Sequence, residues 1–202
     1  MDLAAPIGDV IPGHRAAALA ALVRLRHAVT GRELAAQAGV PPATARRILD
    51  DLADAGLVHL QPIGRAVSVA LNRRHLAVPA LEQLVALRAA LIERLRGAIS
   101  EWSEPAAAAW LFGSAARGDG DRRSDVDIVV VARRRPSPVW DDQIGALGQM
   151  VGDITGNDAQ IIDYTSPRFR ELVRSGNQLV RSLRLEGIEL VDDAARLLRK
   201  AR

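Results

Sequence analysis

The sequence predicts an α+β chain in two parts joined by a long helix, and three observations carry that prediction. Between Gly13 and Gly56 apolar residues recur at helical spacing in three short stretches, and two β-rich runs follow directly. Leu76 to Trp102 keeps one helical apolar stripe. From Ala106 onward, strand-like apolar runs alternate with helix-like stretches, as in a separate second domain. The boundaries read from these changes are residues 1–75, a connecting helix over 76–104, and a second domain over 105–202.

Composition narrows the class. At 202 residues the chain suits one large or two small domains. Hydrophobic residues make up 49% and charged residues 25%, the balance of a folded soluble protein. Aromatics are only 3%, so the cores must be built from Ala, Leu, Val and Ile. The absence of cysteine excludes disulfides and thiolate metal sites and accords with a reducing cytoplasm. No apolar run approaches the roughly 18 residues of a membrane span, and the start lacks a charged-then-apolar signal pattern. A cytoplasmic protein with no membrane partner is therefore expected. With 27 basic and 24 acidic residues the net charge is +3, a weak bias.

Met1 to Pro12, with two prolines and a glycine before Gly13, reads as a loose lead-in. Gly13 to His27 is compatible with a first helix. Thr30-Gly31-Arg32-Glu33 has the form of a capping box, threonine capping and glutamate reaching back. The short helix that follows, Glu33 to Ala38, ends at Gly39. Val40-Pro41-Pro42-Ala43-Thr44 opens a third, with proline where a helix tolerates it. Ile48, Leu49, Leu52 and Ala55 form its buried stripe, and Gly56 ends it. Leu57-Val58-His59-Leu60, a turn around Pro62-Ile63-Gly64-Arg65, and Ala66 to Leu71 then read as a hairpin.

Three helices closed by a hairpin describe a winged helix-turn-helix. Leu34-Ala35, Ala38-Gly39-Val40 and Thr44-Ala45-Arg46-Arg47 resemble the DNA-binding domain of small bacterial repressors. That resemblance implies double-stranded DNA as a partner and Pro42 to Ala55 as the recognition helix. Thr44, Arg46 and Arg47 would stand near its groove-facing start, with Arg65 at the wing tip. Arginine serves either base readout or phosphate grip. Residues 1–75 hold nine arginines and six acids, modest for a DNA reader. His14, His27, His59 and His75 match no metal-ligand spacing.

In the connecting helix, Leu81, Leu84, Val85, Leu87, Leu91, Ile92, Leu95 and Ile99 recur at helical spacing, a face suited to core packing or a homodimer. Ser103-Glu104-Pro105 ends it.

The second domain is organised around Leu111-Phe112-Gly113-Ser114-Ala115-Ala116-Arg117-Gly118 and Ser124-Asp125-Val126-Asp127-Ile128. Two strands joined by a glycine-marked helical turn fit this pattern. Asp125 and Asp127, two residues apart, face the same side if they open the second strand. Paired carboxylates repel unless a cation sits between them, and oxygen ligands favour magnesium. Gly113 lets backbone amides approach a phosphate closely, Ser114 adds a donor, and Arg117 adds a charge one turn away.

Gly113-Ser114, Arg117-Gly118 and Ser124-Asp125-Val126-Asp127-Ile128 resemble the signature of the DNA polymerase beta-like nucleotidyltransferases, most closely their minimal branch. The resemblance implies a mixed sheet flanked by helices. It also implies a nucleoside triphosphate held by Gly113, Ser114, Arg117 and Ser124, and Mg2+ held by Asp125 and Asp127, which would be the catalytic pair.

Beyond this, Arg133-Arg134-Arg135-Pro136 is a basic strand exit, and Trp140 to Thr155 a helix. Asp158 to Tyr164 is a third strand, and one helix is expected from Ser166 to about Leu185. Gly187 to Val191 closes the sheet, and a basic tail follows. Nucleotidyltransferases of this kind place a third carboxylate on the third strand, and the position that aligns with it holds Gln160. Asp158 lies on the same face, roughly 7 Å along the strand, while Asp163 should face away. Two functions follow. One is magnesium-dependent transfer of a nucleoside monophosphate to a hydroxyl on a small molecule, an RNA end or a tyrosine of a partner toxin. The other is a non-catalytic, antitoxin-like transcriptional regulator whose transferase fold binds nucleotide or a partner.

Overall fold

A computed structural model describes residues 1–134 and 136–199. By contact the chain forms two compact units, Ala5–Leu87 and a second made of Met1–Ala4 with the chain from Arg88 onward. No helix among the described residues is long and apolar enough to cross a membrane.

The first unit packs three helices, α1 (His14–Arg24), α2 (Gly31–Ala38) and α3 (Pro42–Asp54), against a small sheet. Thr30 and Glu33 close the expected capping box: Glu33 N donates to Thr30 Oγ1 at 3.2 Å and Thr30 N to Glu33 Oε2 at 2.7 Å. Gly39, left-handed at φ 62, ends α2 and turns the chain toward α3. Strands β2 (Val58–Ile63) and β3 (Ala66–Leu71) form the hairpin, with Gly64 and Arg65 at its tip. Sequence reading missed one strand: β1 (Val29–Thr30) pairs with β3, giving the order β1-β3-β2. Leu34, Leu52 and Val69 lie at the centre of the core.

The second unit is a four-stranded mixed sheet, ordered β6-β5-β4-β7, with helices on both faces. Its strands are β4 (Ala106–Phe112), β5 (Val126–Ala132), β6 (Ala159–Thr165) and the two-residue β7 (Ile188–Glu189). β5 and β6 are parallel, and the other pairings are antiparallel. Alternation along β5 explains both cores. Val126, Ile128 and Val130 point to a cluster with Leu91, Leu95, Trp140 and Val151, while Val129 and Val131 point to Trp110, Phe169, Val180 and Leu183. A strand covered on both faces is apolar throughout, hence the run Ile128 to Val131.

Four expectations are corrected. The lead-in is not loose: Leu3 and Ile7 are each 1% exposed, Leu3 in the sheet's core and Ile7, on a 3-10 turn (Pro6–Asp9), in the helical core. The long connecting helix is two helices, α4 (Val78–Val85) and α5 (Leu87–Ser100), which break at Ala86. Leu81 of α4 joins the first unit's core and Leu91, Ile92, Leu95 and Ile99 of α5 the second's, so the stripe serves two cores. The helix expected from Ser166 to Leu185 is also two, α8 (Ser166–Ser175) and α9 (Gln178–Glu186). Left-handed Gly176 ends α8, and Asn177 Oδ1 accepts from Leu179 N at 2.8 Å to start α9. The closing strand is shorter than expected.

Between β4 and β5 lies the five-residue α6 (Gly113–Arg117). Between β5 and β6 runs α7 (Pro138–Thr155), capped by Ser137 Oγ, which accepts from Val139 N at 3.2 Å. A single turn, α10 (Ala195–Leu198), follows β7. In the basic strand exit, Arg133 Nε donates to Ala106 O at 3.1 Å. Arg135 of that run and residues 200–202 of the basic tail lie outside the described residues.

Candidate functional site

The end of β4, the start of β5 and the start of β6 meet at one edge of the sheet. Phe112 pairs with Asp127 in antiparallel register, and Asp127 pairs with Gln160 in parallel register. At Gly113 the chain turns with φ +66. A Cβ there would collide with Asp127 Oδ2 and lie 3.2 Å from its Cγ. Glycine is therefore required twice over, by the backbone angle and by the carboxylate against it.

Asp125, exposed, immediately precedes β5, and half-buried Asp127 is its second residue. The spacing places both on the face shared with Val129 and Val131. Burial pushes the Asp127 carboxyl above the usual carboxylate range, and the Asp125 charge adds to the rise. Arg117 opposes it and Glu186 reinforces it. Two oxygen-only donors held against their own repulsion suit a hard divalent cation, with further positions left for water or phosphate oxygens. Asp125 and Asp127 are the residues that would hold it.

The loop between the glycine turn and β5 is internally bonded. Gly118 N and Asp119 N donate to Ser114 O at 2.9 and 3.2 Å. Gly120 is buried where a Cβ would meet Ser114 Oγ at 2.9 Å and Leu3 Cδ1 and Ser124 Cβ at 3.2 Å each. Ser124 Oγ accepts from Asp121 N at 2.9 Å and lies 3.1 Å from Asp121 Oδ1. The Arg123 N–H and the Ser124 hydroxyl hold the Asp121 carboxyl below its usual range. Asn157, 3% exposed, donates to Ser124 O at 2.9 Å and ties this loop to the start of β6.

Of the sequence-assigned nucleotide ligands, Gly113 and Ser114 form the turn, while Ser124 bonds within its own loop. Arg117 is held by two carboxylates: Nε donates to Asp119 Oδ2 at 2.9 Å and an Nη to Glu186 Oε2 at 2.8 Å, which raises its pKa. Glu186 was not foreseen, because the sequence ran one helix through this region. The same holds for Arg88 on α5, whose Nε donates to Ala115 O at 2.8 Å.

Gln160, read from the sequence as standing where relatives of this kind carry a third carboxylate, lies beside Asp127 and supplies an amide. Asp163 faces the other side, where its Oδ2 accepts from Trp140 Nε1 at 3.0 Å. Asp158 is exposed just ahead of β6, and its carbonyl accepts from Val126 N at 2.8 Å. Among the described residues no group of three His, Cys, Asp or Glu is arranged to hold a metal ion.

In the helical unit, Arg46 and Arg47 are exposed on α3 and Thr44 is half-buried. Arg46 Nε lies 3.9 Å from Asp50 Oδ2, and Arg65 is exposed at the hairpin tip.

Residues 92–175 match the family model described as a nucleotidyltransferase domain, and residues 16–62 match that of the IclR helix-turn-helix domain. The chain thus joins a nucleotidyltransferase domain to an IclR-type helix-turn-helix domain. A solved structure described as an aspartate-to-glutamate double mutant of the toxin–antitoxin pair MntA–HpeT is similar at 16% identity. The match covers 53% of this chain and 80% of that one, with a TM-score of 0.37. No curated protein matches the chain.

Proposed function

We propose that this protein binds a nucleoside triphosphate with Mg2+ at Gly113, Ser114, Asp125 and Asp127, and double-stranded DNA through α3 and the hairpin tip. The observation that carries the nucleotide reading is the contact between Gly113 and Asp127. It places an open backbone turn, with no side chain in the way, directly against a half-buried carboxylate that a cation would neutralise. Asp125 and Asp127 would hold the metal, and Gly113 and Ser114 would receive the phosphates. When bound, the cation neutralises phosphate charge and polarises the phosphorus under attack. Arg117 sits one turn away and offsets charge on the phosphates once released from Glu186 and Asp119.

The reaction proposed for this site is transfer of a nucleoside monophosphate to a hydroxyl acceptor: the acceptor oxygen bonds to the α-phosphorus and pyrophosphate leaves. A second reading is favoured by Gln160. An amide beside Asp127 cannot take the acceptor's proton, so the site would then serve a DNA-binding regulator as a nucleotide sensor or a docking point for a partner protein. Both readings place the protein in the cytoplasm, where nucleotides and DNA are available. Incubation with labelled ATP, GTP, CTP or UTP and candidate hydroxyl acceptors decides between them. Transfer lost in Asp125→Ala supports the enzyme; saturable binding without transfer to any acceptor supports the regulator.

A further inference from the structure

We propose that Arg88 is a positioning residue for the nucleotide turn, an inference that rests on the nucleotide-binding reading above. Five residues of helix are too few to hold themselves in place, because nucleation costs more than one or two internal hydrogen bonds return. Yet α6 carries Gly113 and Ser114, so its orientation sets where their amides and hydroxyl point. The last carbonyls of such a turn have no helical partners. Arg88 supplies them from outside: Nε donates to Ala115 O at 2.8 Å and an Nη donates to Ala116 O. Its guanidinium also lies where a Cβ on Gly118 would be 3.2 Å from Cζ and Nε, so left-handed Gly118 keeps the space for it. A cation at a helix C-terminus is favourable in its own right.

The support under Arg88 is rigid. It is the second residue of α5, which Leu91, Ile92 and Leu95 fix to the sheet. A planar fork reaching two adjacent carbonyls fixes the turn's rotation as well as its position, which a lysine reaching one carbonyl does not. Arg88 also lies upstream of residues 92–175, the part that matches the nucleotidyltransferase family model. The clamp therefore comes from the second unit's own chain, ahead of the part that the family model covers. In this arrangement Arg88 touches neither substrate nor metal and acts through α6.

The test compares the full-length wild type with Arg88→Ala and Arg88→Lys. Calorimetry with ATP, GTP, CTP and UTP plus Mg2+ reads triphosphate affinity, and electron paramagnetic resonance titration with Mn2+ alone reads the Asp125–Asp127 pair. A positioning role predicts at least a tenfold loss of triphosphate affinity in Arg88→Ala and a smaller loss in Arg88→Lys. Mn2+ affinity should stay within twofold, with both variants well below their melting temperatures. Unchanged triphosphate affinity in either variant overturns the proposal, as does parallel loss of Mn2+ and triphosphate binding, the mark of general unfolding. Where Arg88→Ala does not fold, Arg88→Lys carries the same comparison. Failure of the wild type to bind any of the four triphosphates overturns the nucleotide reading itself, and the proposal with it.

Discussion

The Asp127 carboxylate on β5 lies so close to Gly113, the first residue of α6, that any side chain at position 113 would collide with it. Gly113→Ala is expected to lose stability by about 1–3 kcal/mol, from the left-handed backbone and the displaced Asp127 together. Urea unfolding measures the first effect. Calorimetry should show a drop of tenfold or more in Mg2+–triphosphate affinity, and wild-type affinity in this variant would remove Gly113 from the site.

Asp127→Asn separates folding from binding. The wild-type carboxylate is desolvated and faces the Asp125 charge. The amide relieves both, so the ligand-free variant should melt above the wild type at pH 7. The cation that would profit from the negative charge loses a ligand, so Mn2+ affinity should fall at least tenfold. A variant that melts lower and binds metal equally would contradict both halves.

Gln160→Asp places a carboxylate beside Asp127 in parallel register. The expected outcome is a lower melting temperature without metal, recovered on adding Mn2+, and tighter Mn2+ binding than in the wild type. Label transfer that emerges or rises in this variant would identify position 160 as the group limiting turnover.

The capping box gives a pH signature in the helical domain. Hydrogen bonds from the backbone N–H and hydroxyl of Thr30 hold the Glu33 carboxyl below its usual value. Its contribution is therefore present above the unfolded carboxylate range and fades as pH falls through the folded one. Glu33→Gln should flatten that acid limb. Thr30→Ala should cost about 1 kcal/mol at pH 7, read by thermal melting.

Arg46→Ala with Arg47→Ala tests duplex binding. Both side chains are exposed on α3. If both grip phosphate, duplex affinity falls and the slope of log affinity against log salt shrinks by about 2. If they read bases, the salt slope stays and sequence preference relaxes. An unchanged footprint would remove α3 as the recognition helix.

The sequence revealed those parts of the fold that depend on local chemistry. The capping box at Thr30, the strands on either side of Gly113 and the facing of Asp163 all follow from spacing and residue type. The breaks within the two long helices did not show. At Ala86 the residue is the best of helix formers, and what divides the stripe is competition between two cores for Leu81 and Leu91. At Gly176 the signal was present, but an apolar stripe through Val173 and Val180 concealed it. Glu186 and Arg88 reach the site only through that tertiary geometry, so no motif announces them. Leu3 gave no period to read, because Pro6 and Gly8 break the short apolar stretch it stands in.

Leu3 also bears on how the molecule can be divided. The transferase core includes residues from both sides of the helical domain: Leu3 packs in it, and Ala4 N donates to Gly120 O at 2.9 Å in the loop beside Ser114. The helix-turn-helix is thus an insertion in the transferase's own chain, entered after Ala4 and left before Arg88. A protease cut at Leu87 severs one strand of a double tether, and truncation at Arg88 strips the loop around Gly120 of its Leu3 packing. Excising the transferase intact would require a permuted chain that returns residues 1–4 to their place.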